Sequence, residues 1–211
     1  MPGESTRILL IRHASNDYVA TRRLAGRTPG VHLNERGREE AQAVAERLAF
    51  VSLAAVYSSP LERALETAGP IADRHGILTR PLDGLIETDC GEWTGASIDE
   101  LSRTDLWHLI QASPSCARHP GGESTTEVQA RMVAVVEELR ITHAGQRVVV
   151  VSHSDPIRLL LAFYSGLHMD MFQRLALDPA SISEIEFGPP RPRLIRSNDC
   201  AHLRVYENEE K

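Results

Sequence analysis

The chain has 211 residues, 42 % of them hydrophobic and 25 % charged, an ordinary globular mixture long enough to bury a core without staples. With 23 basic against 29 acidic residues the net charge is −6, which argues against a protein that coats nucleic acid or an anionic membrane surface. No apolar run is long enough to cross a bilayer, and Cys90, Cys116 and Cys200 are odd in number and lack a Cys-x-x-Cys spacing, against a disulfide framework or a thiolate zinc site.

The start carries no apolar stretch behind a basic one, so no signal peptide is expected and a reduced, cytoplasmic compartment is the default. Lys211 is the one lysine; the other 22 basic residues are arginine. A P-loop lysine, a Schiff-base lysine or a lysine general base within the fold is thereby excluded. Any phosphate site must be built from Arg, His and backbone N–H groups.

Residues 7–12 place Ile-Leu-Leu-Ile between arginines, the mark of a short strand buried on both faces. Asn34 is a good N-cap for a helix over 35–49, with Ala41, Val44, Ala45 and Leu48 on one stripe. A second buried strand is predicted over 53–58. Pro60 is expected in the first turn of a helix over 61–75, and Gly76 ends that helix. Residues 77–82 read as a shorter strand. The glycine- and proline-rich stretch 83–124 reads as an excursion from the main domain, a lid or insertion with short helices near 98–103 and 106–112. A long helix is expected over 125–143, the strongest strand over 147–151, an apolar helix over 155–164, and a strand over 181–187 with a partner at 193–196. The tail 207–211 is expected to fray. Strands alternate with helices, which predicts an α/β fold of three layers (α-β-α): a single domain spanning 1–211, with a mostly parallel sheet and helices on both faces.

In such sheets ligands sit just beyond the C-terminal ends of the strands. The first strand ends in Arg12-His13. The second ends in Ser58-Ser59-Pro60, with Arg63 one turn into the next helix. The fourth ends in Ser152-His153-Ser154. Arginine grips phosphate oxygens through a planar fork. Neutral imidazole is a competent nucleophile near pH 7. The helix N-termini after Pro60 and Ser154 add N–H donors.

Leu10-Ile11-Arg12-His13 resembles the Arg-His-Gly signature of the histidine phosphatase superfamily, also called phosphoglycerate-mutase-like. Ser58 to Thr67 is similar to that family's second block. Leu85-Ile86-Glu87 with Gly91-Glu92-Trp93-Thr94-Gly95 is similar to its third. Pro120-Gly121-Gly122-Glu123-Ser124 and Val150-Val151-Ser152-His153 are similar to its fourth and fifth. The blocks keep the family's order and cover roughly residues 7–160.

The resemblance implies that His13 is the phosphorylated nucleophile. Arg12, Arg63 and His153 would hold the phosphoryl group, and Glu87 would protonate the leaving oxygen. For that, Glu87 must be partly protonated near neutral pH, which needs burial or a nearby anion. The implied substrate is a small phosphorylated metabolite, with no metal and no cofactor. Asn16, Arg27 and Ser154 are further candidate substrate contacts, although Arg27 fits a surface loop equally well and Ser154 reads first as a helix cap. Arg118 and His119 are weaker candidates. Trp93 and Trp107 read as core or pocket wall. No motif specifies an oligomeric state, and a homodimer stays open.

Three positions depart from the family pattern. Ala14 replaces the usual glycine and would be strained if that backbone needed a positive φ. Asn16 and Val19 stand where Thr and Asn are frequent, and Val19 cannot donate to phosphate. Ser154 follows the second histidine in place of glycine or alanine.

The leading reading is a phosphatase. A phosphomutase is the alternative. Phosphoglycerate mutases carry paired arginines and a lysine in a longer insertion after the third block, whereas residues 96–119 hold Arg103 and Arg118 but no adjacent pair and no lysine. A phosphate-binding regulatory module without turnover is a third reading. A Ser–His–Asp hydrolase is disfavoured, because Ser152, His153 and Asp155 are mere neighbours in sequence and no Gly-x-Ser-x-Gly elbow exists.

Overall fold

A computed structural model describes residues 5–203. The tail expected to fray, with Lys211, lies outside the described residues. Six strands form one sheet in the order β3-β2-β4-β1-β5-β6. They are β1 (Thr6–Arg12), β2 (Ala55–Ser58), β3 (Thr79–Pro81), β4 (Arg147–Ser152), β5 (Ile182–Phe187) and β6 (Arg193–Asp199). Strands β1 to β4 run parallel; β5 and β6 are antiparallel additions on the β1 side. The mostly parallel sheet read from the sequence is therefore present, with an antiparallel hairpin at one edge.

Strand β1 is central, between β4 and β5, and this explains its unbroken apolar run. Alternate residues point to opposite faces. Leu9 and Ile11 meet Ala41, Val44, Ala68 and Ile71 from α2 (Glu35–Leu48) and α3 (Glu62–Arg74). Ile8 and Leu10 meet Met132, Val136, Ile157 and Leu160 from α6 (Thr125–Thr142) and α7 (Ser154–Ser165). The valines of β4 divide the same way, Val149 and Val151 to the first face, Val148 and Val150 to the second. Each buried aliphatic side chain contributes about 1.5–3 kcal/mol, so burying both faces fixes the three-layer arrangement.

Local chemistry sets several boundaries. Asn34 caps α2 through its side chain, which accepts from Gly37 N–H at 2.9 Å. Ser124 and Glu127 form a reciprocal capping box at the start of α6. Gly76 follows α3 with φ +63°, a conformation in which glycine has no Cβ penalty.

Some expectations need correction. Pro60 lies ahead of α3, not within its first turn. Leu61 is the N-cap, with extended backbone and no side-chain cap, and its carbonyl accepts the first helical bonds from Ala64 and Leu65. Ser154 is the first residue of α7, not its cap; His153 occupies the cap position. Strand β3 pairs over three residues only, at an edge, where Pro81 offers no ladder donor. One short helix, α1 (Asp17–Ala20), was not anticipated. Asn16 caps it by accepting from Val19 N–H at 3.0 Å. Between β3 and α6 the chain forms single 3-10 turns and two helices, α4 (Ile98–Leu101) and α5 (Asp105–Ala112).

Candidate active site

Beyond the C-terminal ends of β1, β2 and β4 lies a cavity of about 500 Å³, a volume typical of small-molecule sites. Arg12, His13, Asn16, Arg63, Glu87 and Ser154 line it. His153, fully buried, stands beside His13 with ring centroids 5.1 Å apart at 61°. The parallel pairing of β1 with β4 sets Arg12 opposite Ser152, which delivers both histidines to one level.

His13 has a tautomer fixed by its neighbour. Nδ1 lies 2.8 Å from the Ala14 carbonyl oxygen. A carbonyl only accepts, so Nδ1 carries the proton and Nε2 keeps a free lone pair. Burial, then the Arg63 and Arg12 guanidinium charges, hold the His13 pKa well below the usual histidine range. The ring is neutral at pH 7.

His153 is held at Nε2 by the Ser59 hydroxyl, 2.7 Å away. Ser59 Oγ also accepts from Leu61 N–H at 3.4 Å, which leaves its own proton for His153. The Nδ1–H of His153 is then a donor, and it is buried with no protein partner. Burial first, and Arg63 second, push this pKa down as well.

The two arginines are anchored at one end and open at the other. Arg12 Nη1 donates to the Leu177 carbonyl at 2.6 Å, leaving Nε buried and unpaired. Arg63 Nη2 donates to the Gly26 carbonyl at 2.7 Å, leaving Nε and Nη1 buried and unpaired. Burial is the main cause lowering both pKa values, yet a guanidinium stays charged. Unsatisfied buried donors are costly and rare, so their clustering here points to an anion.

Glu87 sits across from His153, Oε2 to Nδ1 3.7 Å, and its Oε1 accepts from Thr88 N–H at 2.8 Å. Burial, with Asp155 adding like charge, raises its pKa to about 7. A carboxyl poised there is partly protonated at neutral pH, as an acid–base role requires.

The remaining candidates divide. Asn16 is 1 % exposed and uses its carbonyl oxygen on the α1 cap, leaving its amide donors for the cavity. Ser154 also borders the cavity. Arg27 does not. It donates to the Glu87 carbonyl at 2.9 Å and pairs with Glu123 at 2.9 Å and Asp89 at 3.8 Å, which braces the Glu87 loop. Arg118 is tied to Glu127 at 2.6 Å and is not among the lining residues. His119 borders the cavity, as does Trp107, which stacks near Trp93 with centroids 6.0 Å apart. Ala14 shows no positive φ, so the feared strain is absent; its N–H donates to Thr67 Oγ1 at 3.0 Å. Among the described residues no group of three or more His, Cys, Asp or Glu side chains gathers to hold a metal ion.

Sequence reasoning missed Asp155 and Arg158, which both border the cavity from α7. Their signal was the i, i+3 spacing on the helix that follows His153. It also missed Arg22 and Arg23 at the same cavity; Arg22 is held by an exposed ion pair with Asp99 at 3.1 Å.

Two imidazoles and two half-satisfied arginines around one space, with a carboxyl of raised pKa beside them, define a phosphoryl-transfer enzyme of the α/β class. The family model of the histidine phosphatase superfamily (branch 1) matches residues 8–200. The phosphoserine phosphatase 1 of Hydrogenobacter thermophilus is 32 % identical over 200 residues, covering 93 % of this chain and 94 % of that protein. The YhfR protein of Bacillus stearothermophilus superposes with a TM-score of 0.88 at 27 % identity, over 94 % of this chain and 99 % of that one. A mycobacterial glucosyl-3-phosphoglycerate phosphatase superposes with a TM-score of 0.83 at 28 % identity, over 92 % and 99 %. The chain belongs to the histidine phosphatase superfamily, and it is a phosphatase of small phosphorylated metabolites.

Proposed function

We propose that this chain hydrolyses phosphomonoesters in two steps, with His13 as the phosphorylated nucleophile. Nε2 of His13 attacks phosphorus, and the ester P–O bond breaks as the P–N bond forms. The Glu87 carboxyl gives its proton to the departing oxygen. The Glu87 carboxylate then takes a proton from water, which attacks phosphorus, breaks the P–N bond and releases inorganic phosphate. Arg12, Arg63 and the Nδ1–H of His153 hold the phosphoryl oxygens throughout, assisted by the Asn16 amide and by Ser154. Charge stabilisation by these donors supplies most of the rate gain.

The observation that carries this reading is the fixed tautomer of His13. Its lone pair is the one basic site on a neutral ring flanked by two arginines with unpaired donors. Residues 83–124 act here as the wall that selects substrates; Ile98, Trp107, Ile110 and His119 from this segment border the cavity.

The test is to quench turnover of a 32P-labelled phosphomonoester with alkali. An acid-labile, alkali-stable label on the wild-type protein, absent in His13→Ala, is expected. Turnover by His13→Ala at the wild-type rate overturns the reading. Phosphate release outpacing isomerisation of 3-phosphoglycerate separates hydrolysis from phosphomutase action.

A further inference from the structure

Glu87 is held through its backbone rather than through its carboxyl. Each of the four consecutive carbonyls from Gly84 to Glu87 accepts a hydrogen bond from a side chain. Arg131, on α6, donates from Nη1 to Gly84 at 3.0 Å and to Ile86 at 2.6 Å, and from Nη2 to Glu87 at 3.1 Å. The Ser152 hydroxyl donates to Leu85 at 2.7 Å. Arg27 Nε donates to Glu87 at 2.9 Å. The Glu87 carboxyl, by contrast, accepts one hydrogen bond, from Thr88 N–H at 2.8 Å.

The two arginines behind the Glu87 carbonyl converge on one carboxylate. Glu123 Oε2 accepts from Arg27 Nη2 at 2.9 Å, from Arg131 Nη2 at 3.1 Å and from Asp89 N–H at 3.0 Å. Its Oε1 accepts from Arg131 Nε at 3.1 Å. Four donors on two oxygens use up a carboxylate's capacity. The side chains of Glu123 and Arg131 are only 20 % and 19 % exposed, so these charge-assisted bonds are largely withdrawn from water. The backbone fixes Glu123 at this point as well. Its N–H donates to the Asp89 carbonyl at 2.9 Å, and a Cβ on the preceding Gly122 would fall 2.2 Å from that carbonyl oxygen.

The arrangement resolves a conflict. A general acid must be held still, yet a cation bonded to its carboxyl would stabilise the carboxylate and strip the proton at neutral pH. Here both cations bond the carbonyl behind the acid, and the Glu123 carboxylate opposes their charge. Arg12, Arg63, His153 and Asp155 face Glu87 from β1, α3 and the start of α7, and none of them hydrogen-bonds its carboxyl. Glu123, Arg27 and Arg131 are not among the lining residues of the cavity, so whatever they contribute to the reaction passes through Glu87.

We propose that Glu123 is a positioning residue: by gathering Arg27 and Arg131 behind the Glu87 carbonyl, it sets the place from which Glu87 delivers its proton to the leaving oxygen. This rests on the phosphatase reading above, in which Glu87 is the acid.

The test measures kcat/KM at neutral pH for two esters. β-Glycerol phosphate has an alkoxide leaving group that needs a proton; p-nitrophenyl phosphate has a leaving anion that needs little. The proteins are wild type, Glu123→Gln, Arg27→Met, Glu87→Gln and the double variants that combine Glu87→Gln with each of the other two. Glu123→Gln keeps the reach of the side chain and loses the charge that two guanidinium groups share. It is expected to cost β-glycerol phosphate about 10- to 100-fold and p-nitrophenyl phosphate less than about 3-fold. In the Glu87→Gln background the same substitution should cost less than about 2-fold on either ester, since the acid it positions is gone. Arg27→Met leaves Arg131 bonded and should show the same ester selectivity, with a smaller loss. Equal losses on both esters, or an undiminished loss in the Glu87→Gln background, would mean that Glu123 serves the fold alone and would overturn the proposal. Should Glu123→Gln fail to fold, Arg27→Met and its double variant decide the matter through the same ratios. A Glu87→Gln protein with wild-type kcat/KM on β-glycerol phosphate would instead remove the acid from Glu87, defeating the underlying reading and the proposal together.

Discussion

Oε2 of Glu87 stands 3.7 Å from Nδ1 of His153, and that nitrogen has no hydrogen-bond partner although its ring is fully buried. The separation is too long for a hydrogen bond. A charged carboxylate beside a charged imidazolium would close it. Here burial works against both charges, raising the Glu87 pKa and lowering that of His153. Each group is left to face the space proposed above for the phosphoryl group.

That relationship sets a pH–rate profile. The first step needs Glu87 protonated, and its pKa is about 7. The alkaline limb of single-turnover phosphorylation by an alkyl phosphomonoester is therefore expected to fall through about pH 7. Glu87→Gln should lose about 10²–10⁴ in rate and lose that limb. The loss should be smaller with p-nitrophenyl phosphate, whose leaving anion needs little protonation. An unchanged limb in Glu87→Gln would assign the titration to another group.

The same shift makes a prediction about stability. The Glu87 pKa rises from 4.5 to about 7 on folding. Between those values the folded state holds more protons than the unfolded one, so stability falls as pH rises. The contribution is fully present below about pH 4.5 and lost as pH climbs through 7, at a total cost of about 3 kcal/mol. His13 and His153, whose pKa values are lowered, act oppositely: their contribution is present above the ordinary histidine range and lost as pH falls. The comparison of wild type with Glu87→Gln isolates the glutamate. The variant should gain stability relative to wild type as pH rises from 4.5 to 7, in urea titrations at fixed temperature. A constant difference across that range would mean that Glu87 is not buried as a neutral acid.

Asp155 is the second cause of the Glu87 shift, after burial. Asp155→Asn removes a like charge, so the Glu87 pKa should drop and the alkaline limb should move to lower pH. Burial is untouched, so the pKa should stay above the ordinary carboxylate range. The readout is the position of the limb with an alkyl ester. A limb that stays in place would show that Asp155 is screened from Glu87.

The sheet and the gathering of Arg12, His13 and His153 at its edge were readable because they depend on unbroken local patterns. Ile8 to Ile11 and Val148 to Val151 announce strands flanked on both sides, and their ends name Arg12, His13 and His153. Asp155 and Arg158 were not readable, because an aspartate and arginine three apart on a helix usually make an exposed ion pair. Only their place beside the cavity separates them from that ordinary case. Arg27 fits a substrate contact or a surface loop equally well from the sequence, and its pairing with Asp89 and Glu123, distant in sequence, is visible only in the fold. Ser154 misled because a hydroxyl at a helix start normally caps it, while here the chain turns one residue earlier, at His153.

The loop that follows His13 is held by a contact that glycine alone permits. A Cβ on Gly37 in α2 would fall 2.0 Å from the Ser15 carbonyl oxygen and 3.1 Å from the Ser15 nitrogen. Glu40, one turn later, accepts from Ser15 N–H at 2.8 Å and from its hydroxyl at 2.9 Å. These bonds clamp the segment carrying Asn16 against α2. In Gly37→Ala the backbone of Ser15 must retreat, since an obstructing carbonyl cannot swing aside as a side-chain tip would. The expected cost is about 1–3 kcal/mol in stability. Because a shift near 1 Å at reacting groups costs up to about 10²-fold, kcat/KM should fall together with the melting temperature. The variant's two readouts are thus tied. A Gly37→Ala protein with both unchanged would mean that α2 slides freely past the loop, and that the close approach of Gly37 to Ser15 does not position Asn16 or the nucleophile's backbone.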